Sequence, residues 1–373
     1  MPSRDSTRVL FVAWQGARAG IERHLATLID SLPSRFEKSV VFLSSGGPIA
    51  DELAAAGIPI RALGLRRSYD PRGGAQLARF VREGHFDLVH DHSTMAAAPI
   101  LRLGLASVPL VVTEHLAMAQ RRLDQRLSYR LLSRFVDCFI ANSNATRADL
   151  VAHGIAAARV RVIHLAIADN PAFASTTPAA ARAALGLEGT PTAPVVGFVG
   201  RLEPEKGCRR FVQVAARVAA EVPAAQFVMI GDGSQRSAVA ADVAAAGLAQ
   251  KFVLAGARSK VETLYPAFDV LVSCSERETF GLAILEAMTA GVSVAAFDVG
   301  GISEVLAGAG ELAPAGDIAA LAARVTGLLR DADRRTELGR LAQARVAERL
   351  TARQMASQVG DVYEAVMEQR RRG

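Results

Sequence analysis

Short apolar runs alternate with longer amphipathic stretches along this chain. The first run, Val9-Leu10-Phe11-Val12-Ala13, has no polar position, which predicts a strand buried on both faces. A helix is predicted over 21–32. Strands then follow over 38–43, 58–63, 87–92, 110–115, 136–142 and 160–165. Helices at 49–56, 74–84 and 93–105 lie between them. After an interruption the alternation restarts. Strands are predicted at 195–200, 226–230, 252–254, 270–273 and 292–297. Helices are predicted at 209–222, 234–246, 282–290, 317–330, 333–349 and 352–369. Regular alternation of this kind predicts a parallel, doubly wound α/β sheet, here built twice.

The interruption spans 167–194. Asn170-Pro171, Ser175-Thr176-Thr177-Pro178 and Gly189-Thr190-Pro191-Thr192-Ala193-Pro194 surround one helix at 179–185. That is linker chemistry, and it places a domain boundary near residue 170. The expected division is an N-terminal domain over 1–170 and a C-terminal domain over 171–354, with a final helix (355–373) returning to the first domain. Two such domains imply a cleft between them.

Length agrees with two domains: 373 residues, half of them hydrophobic, can bury two cores. No apolar run is long enough to span a bilayer. Residues 1–8 are polar, so no signal peptide is expected. Cys138, Cys208 and Cys274 are scattered and odd in number, which fits a reducing cytosol. The net charge of +6 is unevenly placed. Residues 1–175 carry 21 Lys and Arg against 15 Asp and Glu, and the remainder is balanced. A basic first half points to an anionic partner.

The stretch Ser275-Glu276-Arg277-Glu278-Thr279-Phe280-Gly281-Leu282 lies between a predicted strand and a predicted helix. Ligands bind at such strand ends in open α/β sheets. Free N–H groups near Phe280, Gly281 and Leu282 can face a phosphate, and Gly281 permits close backbone approach. Glu278 sits in the loop, and Glu286, eight residues on, sits inside the helix. A carboxylate there can accept two hydrogen bonds from a ribose diol. Upstream, Gly200-Arg201-Leu202-Glu203-Pro204-Glu205-Lys206-Gly207 puts two cations on another strand-end loop. Arg201 can hold a phosphate bidentately and Lys206 as a point charge.

The Glu278/Glu286 spacing resembles the E-x7-E motif of the retaining glycosyltransferases of family four (glycosyl transferases group 1), which have the GT-B fold of two Rossmann-like domains. Gly200 to Gly207 matches the family's G-R-L-x-x-x-K-G. Gly231-Asp232-Gly233 is similar to its second-domain G-x-G, and Gly300-Gly301-Ile302-Ser303-Glu304 to its G-G-x-x-E, with Glu304 a further polar contact. Gly20-Ile21-Glu22-Arg23 resembles its first glycine-rich loop. The chain departs from the family at His164-Leu165-Ala166-Ile167-Ala168-Asp169 and at Gly310 to Asp317.

The resemblance implies retaining, metal-independent transfer of a sugar from a nucleotide-diphosphate sugar to an acceptor hydroxyl. Glu278, His115, Arg201 and Lys206 would be catalytic. Gly20, Arg201, Lys206, Gly231, Phe280, Gly281, Leu282 and Glu286 would bind the donor, and His92 the acceptor. No cofactor is implied. The donor would be a UDP-sugar ahead of a GDP-sugar, and the acceptor a sugar or lipid-linked sugar of a bacterial surface polysaccharide or glycolipid pathway. The alternatives are a sugar-nucleotide epimerase and a non-catalytic partner subunit of the same architecture. The G-R-L-x-x-x-K-G and E-x7-E motifs together speak against the epimerase, and the presence of Arg201, Lys206 and Glu278 against the non-catalytic subunit.

A metal site from His90, His92 and His115 is conceivable, because strand alternation puts His90 and His92 on one face, but no metal is expected. Arg122, Arg126, Arg130 and Arg134 recur at i, i+4 beside Leu123, Leu127, Leu131 and Phe135. Residues 119–135 thus read as a basic amphipathic helix, packed on its sheet or resting on an anionic membrane. Arg61, Arg66, Arg67, Arg72, Arg79 and Arg82 add to that basic character. The expected location is cytoplasmic, or peripheral on the inner membrane face. Nucleic acid is not an expected partner, since the basic residues lack interleaved aromatics.

Overall fold

The computed structural model describes residues 6–17, 20–66, 71–93, 108–116, 126, 129–131, 133–187 and 192–372. The chain forms two compact units, Met1–Ala168 with Thr351–Gly373 and Asp169–Leu350. It re-enters the first unit at Thr351, which bridges to Ile167, rather than at 355.

The first unit holds strands β1 (Thr7–Ala13), β2 (Phe36–Phe42), β3 (Ile60–Ala62), β4 (Leu88–Asp91), β5 (Leu110–Glu114), β6 (Cys138–Ala141) and β7 (Val160–Val162). They make one parallel sheet in the order β3-β2-β1-β4-β5-β6-β7. Strand alternation sends Val9, Phe11 and Ala13 of β1 to one face. There they meet Leu25, Leu28 and Ile29 of the helix Gly20–Ser31, and Met355, Val359 and Tyr363 of the helix Ala352–Arg372. Leu10 and Val12 go to the other face, with Leu77 and Val81 of the helix Pro71–Gly84. Both faces of β1 are therefore buried, which is why its run has no polar position. The last helix is fastened to the same unit by Arg370, whose guanidinium pairs with Asp137 at 2.7 Å.

The second unit holds β8 (Val195–Val199), β9 (Gln226–Ile230), β10 (Phe252–Gly256), β11 (Val270–Ser273), β12 (Ser293–Phe297) and β13 (Glu311–Ala313). The order is β10-β9-β8-β11-β12-β13, again all parallel. Its core joins Phe198, Phe211, Phe227, Val270, Phe297 and Leu321.

Strand order reverses between β1 and β4 in the first unit, and between β8 and β11 in the second. Crevices outside the carboxyl ends of the strands open at such reversals. The loops after β1, β4, β8 and β11, at these reversals, are among those that the sequence marks as functional.

The expected helix at 93–105 lies outside the described residues. So does most of the expected basic helix at 119–135, including Arg122, as do Arg67 and the side chain of Arg72. Helix Asn144–Ala152 was not expected. Ser143, whose hydroxyl accepts from Thr146 N–H, caps its start. Among the described residues no helix is long and apolar enough to cross a membrane.

Candidate active site

In the second unit the loops that follow β8, β9, β11 and β12 are stitched together. Gly200 N–H donates to the Ile230 carbonyl at the end of β9, and Leu202 N–H to the Asp232 carbonyl. Glu203 accepts from both the N–H and hydroxyl of Ser234. Glu276 N–H donates to the Glu205 carbonyl, and Gly301 N–H to the Glu278 carbonyl. Glycines allow this closeness. Gly207, Gly231 and Gly300 have φ of 68°, 140° and 56°. A Cβ on them would lie 1.9, 1.8 and 1.7 Å from the carbonyl oxygens of Cys274, Gly200 and Glu278 respectively.

On this frame Lys206 Nζ lies 2.6 Å from Glu278 Oε2, with both side chains mostly buried. The sequence placed these two residues 72 positions apart, and the structure brings them together. Arg201 is on the same loop but is paired with Glu205 at 2.8 Å and is 62% exposed. Gly281, at φ 101°, precedes the helix Leu282–Thr289, and the side chain of Phe280 is buried beneath the loop. Glu286 is buried inside that helix, where Oε2 accepts a 2.6 Å hydrogen bond from the Tyr265 hydroxyl. Tyr265 was missed in the sequence. Gly231 closes the β9 loop, and Glu304 lies in the helix Ile302–Leu306.

In the first unit, Gly20 begins the helix that follows β1. His24 of that helix, His90 and His92 at the end of β4, and His115 after β5 form one buried cluster. Ring centroids lie 4.2 Å apart for His90 and His92, 5.3 Å for His92 and His115, and 5.4 Å for His24 and His115. Burial away from water disfavours the charged imidazolium. It lowers His24 to about 4 and His90 to about 3, and takes His92 and His115 well below the usual histidine value. All four rings are therefore neutral at pH 7.

His90 is fully committed. Its Nδ1 meets the Tyr363 hydroxyl at 2.6 Å and its Nε2 the Thr113 hydroxyl at 2.7 Å. His90 therefore does not belong to the conceivable trio with His92 and His115, whereas His24 lies close to both of those. His92 Nδ1 and His115 Nε2 share a hydrogen bond of 3.1 Å. His24 went unnoticed in the sequence. The available signal was a histidine on the buried stripe that also holds Leu25, Leu28 and Ile29. Tyr363→Phe should destabilise the first unit by about 1–3 kcal/mol, because it leaves a buried His90 nitrogen without its partner. Urea unfolding followed on that unit's transition measures this, and an unchanged midpoint would refute it.

Two family descriptions match: Glycosyltransferase Family 4 over residues 18–170 and Glycosyl transferases group 1 over residues 193–331. The lipopolysaccharide core biosynthesis mannosyltransferase LpsB of Rhizobium meliloti (strain 1021) is 30% identical over 253 residues, which are 64% of this chain and 68% of that protein. The chain belongs to glycosyltransferase family four.

Other relatives in the family match shorter stretches. The 2-deoxystreptamine N-acetyl-D-glucosaminyltransferase of Streptomyces fradiae is 42% identical over 147 residues, 38% of this chain and 35% of that protein. The 2-deoxystreptamine glucosyltransferase of Streptomyces kanamyceticus is 39% identical, with 37% of each chain covered. The match thus spans about a third of the length of these two relatives. Among solved structures, Anabaena Alr3699/HepE in complex with UDP-glucose superposes with a TM-score of 0.85 at 22% identity, over 96% of this chain and 99% of that one. WaaG, a glycosyltransferase involved in lipopolysaccharide biosynthesis, gives 0.74 at 16% identity, over 95% and 99%. The fold of this family-four chain is accordingly GT-B, two parallel-sheet α/β units.

Proposed function

We propose that this chain is a retaining glycosyltransferase that moves a sugar from a nucleotide-diphosphate sugar, a UDP-sugar first, to a hydroxyl of a polyhydroxylated acceptor. The observation that carries this reading is the Lys206–Glu278 pair, held at 2.6 Å on loops fixed by glycine and backbone hydrogen bonds. A cation beside a carboxylate suits a donor whose diphosphate takes the one and whose sugar hydroxyls take the other. HepE, of like fold, was solved with UDP-glucose, which supports the donor class.

In this reading Lys206, Arg201 and the N–H groups at the start of helix Leu282–Thr289 stabilise charge developing on the leaving diphosphate. They do so without a cation at the phosphates. Glu286, oriented by Tyr265, receives the ribose, and Gly231 lets the backbone approach the nucleotide. Among the described residues, no side chain is assigned as a covalent nucleophile. The acceptor oxygen therefore attacks the anomeric carbon from the face that the diphosphate leaves, and a diphosphate oxygen takes its proton. In the first unit, neutral His115 is assigned a hydrogen bond to the sugar and His92 a role towards the acceptor. The relatives act on 2-deoxystreptamine, on D-inositol 3-phosphate and in lipopolysaccharide core synthesis. A compact polyol ring, as in the first two, or a sugar of a glycolipid, is the acceptor class proposed for this chain.

A thermal-shift panel of UDP-, GDP- and ADP-sugars, without added metal, tests the donor. A ligand at 100 times its Kd should add about 2.7 kcal/mol. The expected result is one clear response, strongest for a UDP-sugar, that disappears in Glu286→Ala. No response across the panel would overturn the transferase reading.

A further inference from the structure

The histidine cluster of the first unit has a property that sugar binding does not require. His24, His92 and His115 each present one ring nitrogen such that the three atoms all lie within 4.8 Å of one another. All three side chains are buried, at 4%, 1% and 7% exposure. Two of their nitrogens, His24 Nδ1 and His92 Nε2, have no hydrogen-bond partner among the described residues. A buried imidazole nitrogen without a partner costs about 1–3 kcal/mol whether it is a bare lone pair or an unused N–H. Two such atoms in one cluster call for a ligand that imidazole nitrogens hold.

We propose that His24, His92 and His115 form a binding site for a late first-row divalent cation, Zn2+ foremost. Neutral imidazole is the form that coordinates, since the lone pair must be free of a proton. Two nitrogens on a tetrahedral zinc, each about 2.0–2.1 Å from the metal, lie about 3.3 Å apart. The nearest pair, His92 Nδ1 and His115 Nε2, is 3.1 Å apart, close to that. Coordination through His92 Nδ1 would replace this hydrogen bond, and coordination through His92 Nε2 would use the unpartnered atom. His24 enters from a helix, whereas the other two enter from adjacent strand ends, so the three approach from different backbones. Harder cations such as Mg2+ prefer oxygen and are excluded by an all-nitrogen donor set. His90 stands apart because Tyr363 and Thr113 occupy both of its nitrogens. Three protein ligands leave a fourth position open, as in zinc sites that admit water or a substrate oxygen.

The site stands on these three residues alone. One consequence rests on the transferase reading: a cation on His115 would occupy the side chain proposed to face the sugar, so added Zn2+ should lower transfer.

The test uses the full, untagged chain, dialysed against Zn2+ or Co2+ and then desalted. Elemental analysis should find about one metal per chain, and bound Co2+ should show the visible bands of a four- or five-coordinate nitrogen site. His24→Ala and His115→Ala should each lose retention. His85→Asn, an exposed histidine elsewhere in the unit, should keep it. If His24→Ala does not fold, the Co2+ spectrum of the wild-type chain decides alone. Less than about a tenth of an equivalent on the wild-type chain overturns the proposal, as does undiminished retention in folded His24→Ala. No donor or acceptor enters the assay, so failure of the sugar-nucleotide panel leaves this result standing.

Discussion

Replacing Lys206 with Met should lower the turnover number for sugar transfer by about 100- to 1,000-fold, the usual cost of removing one preorganised group aimed at developing charge. The ammonium is held 2.6 Å from Glu278 Oε2, on a loop tied by the Glu276–Glu205 backbone bond. Its position before the donor arrives is therefore fixed, and little reorganisation remains for the reacting complex. A diphosphate carries more negative charge than one carboxylate. On the proposed function it would compete for Lys206 and free Glu278 for the sugar hydroxyls. Charge on the leaving group grows towards the transition state, so the loss should fall on kcat more than on KM. Glu278→Gln should be similarly damaging. The double variant should be little worse than the poorer single one, because groups acting as a unit are not additive. Arg201 is far more exposed and already paired with Glu205, so Arg201→Ala should cost less than Lys206→Met. Steady-state kinetics of these variants decides the matter. A fall in kcat of under about tenfold for Lys206→Met would remove that residue from the diphosphate.

The loops that follow β8 and β11 were legible in the sequence because their residue pattern is local. Arg201, Lys206 and Gly207 lie within one strand-end turn, and so do Glu278, Phe280 and Gly281. The sheets were legible for a related reason: a parallel strand buried on both faces leaves an unbroken apolar run, as in β1 and β12. What stayed hidden depends on packing between distant segments. Tyr265 reaches Glu286 across 21 positions and Tyr363 reaches His90 across 273. Neither has a neighbour in the sequence that betrays the partner. His24 looked like one more helix residue until the helix was laid against the ends of β4 and β5. Helix Asn144–Ala152 escaped because only Thr146 and Leu150 of it are buried, too few to set a period. The end of β7 was drawn too long, at 165 rather than Val162, because Ile163 and Leu165 are buried in loop rather than in strand.

Gly300→Ala should be the most destabilising of the glycine substitutions in the second unit, at about 2–5 kcal/mol, and it should abolish the donor response as well. Two costs combine. At φ 56° an alanine sits in the left-handed region, about 1–2 kcal/mol above its ordinary conformation. Its Cβ would also come within 1.7 Å of the Glu278 carbonyl oxygen, a contact no structure tolerates. Relief through backbone movement adds about 1–3 kcal/mol. The Glu278 carbonyl cannot retreat freely, because it accepts the Gly301 N–H at 3.1 Å. Movement there carries Glu278 away from Lys206 and shifts the start of the helix Leu282–Thr289. Gly308→Ala separates the two costs. Gly308 has φ 88° but nothing within 4 Å of an added Cβ, so only the conformational cost applies. It should lose about 1–2 kcal/mol and keep full donor binding. Thermal denaturation of both variants, each with and without the responding sugar nucleotide, reads the difference. Equal losses of stability in the two would mean that the close approach of Gly300 to Glu278 is not what holds the donor loops in place.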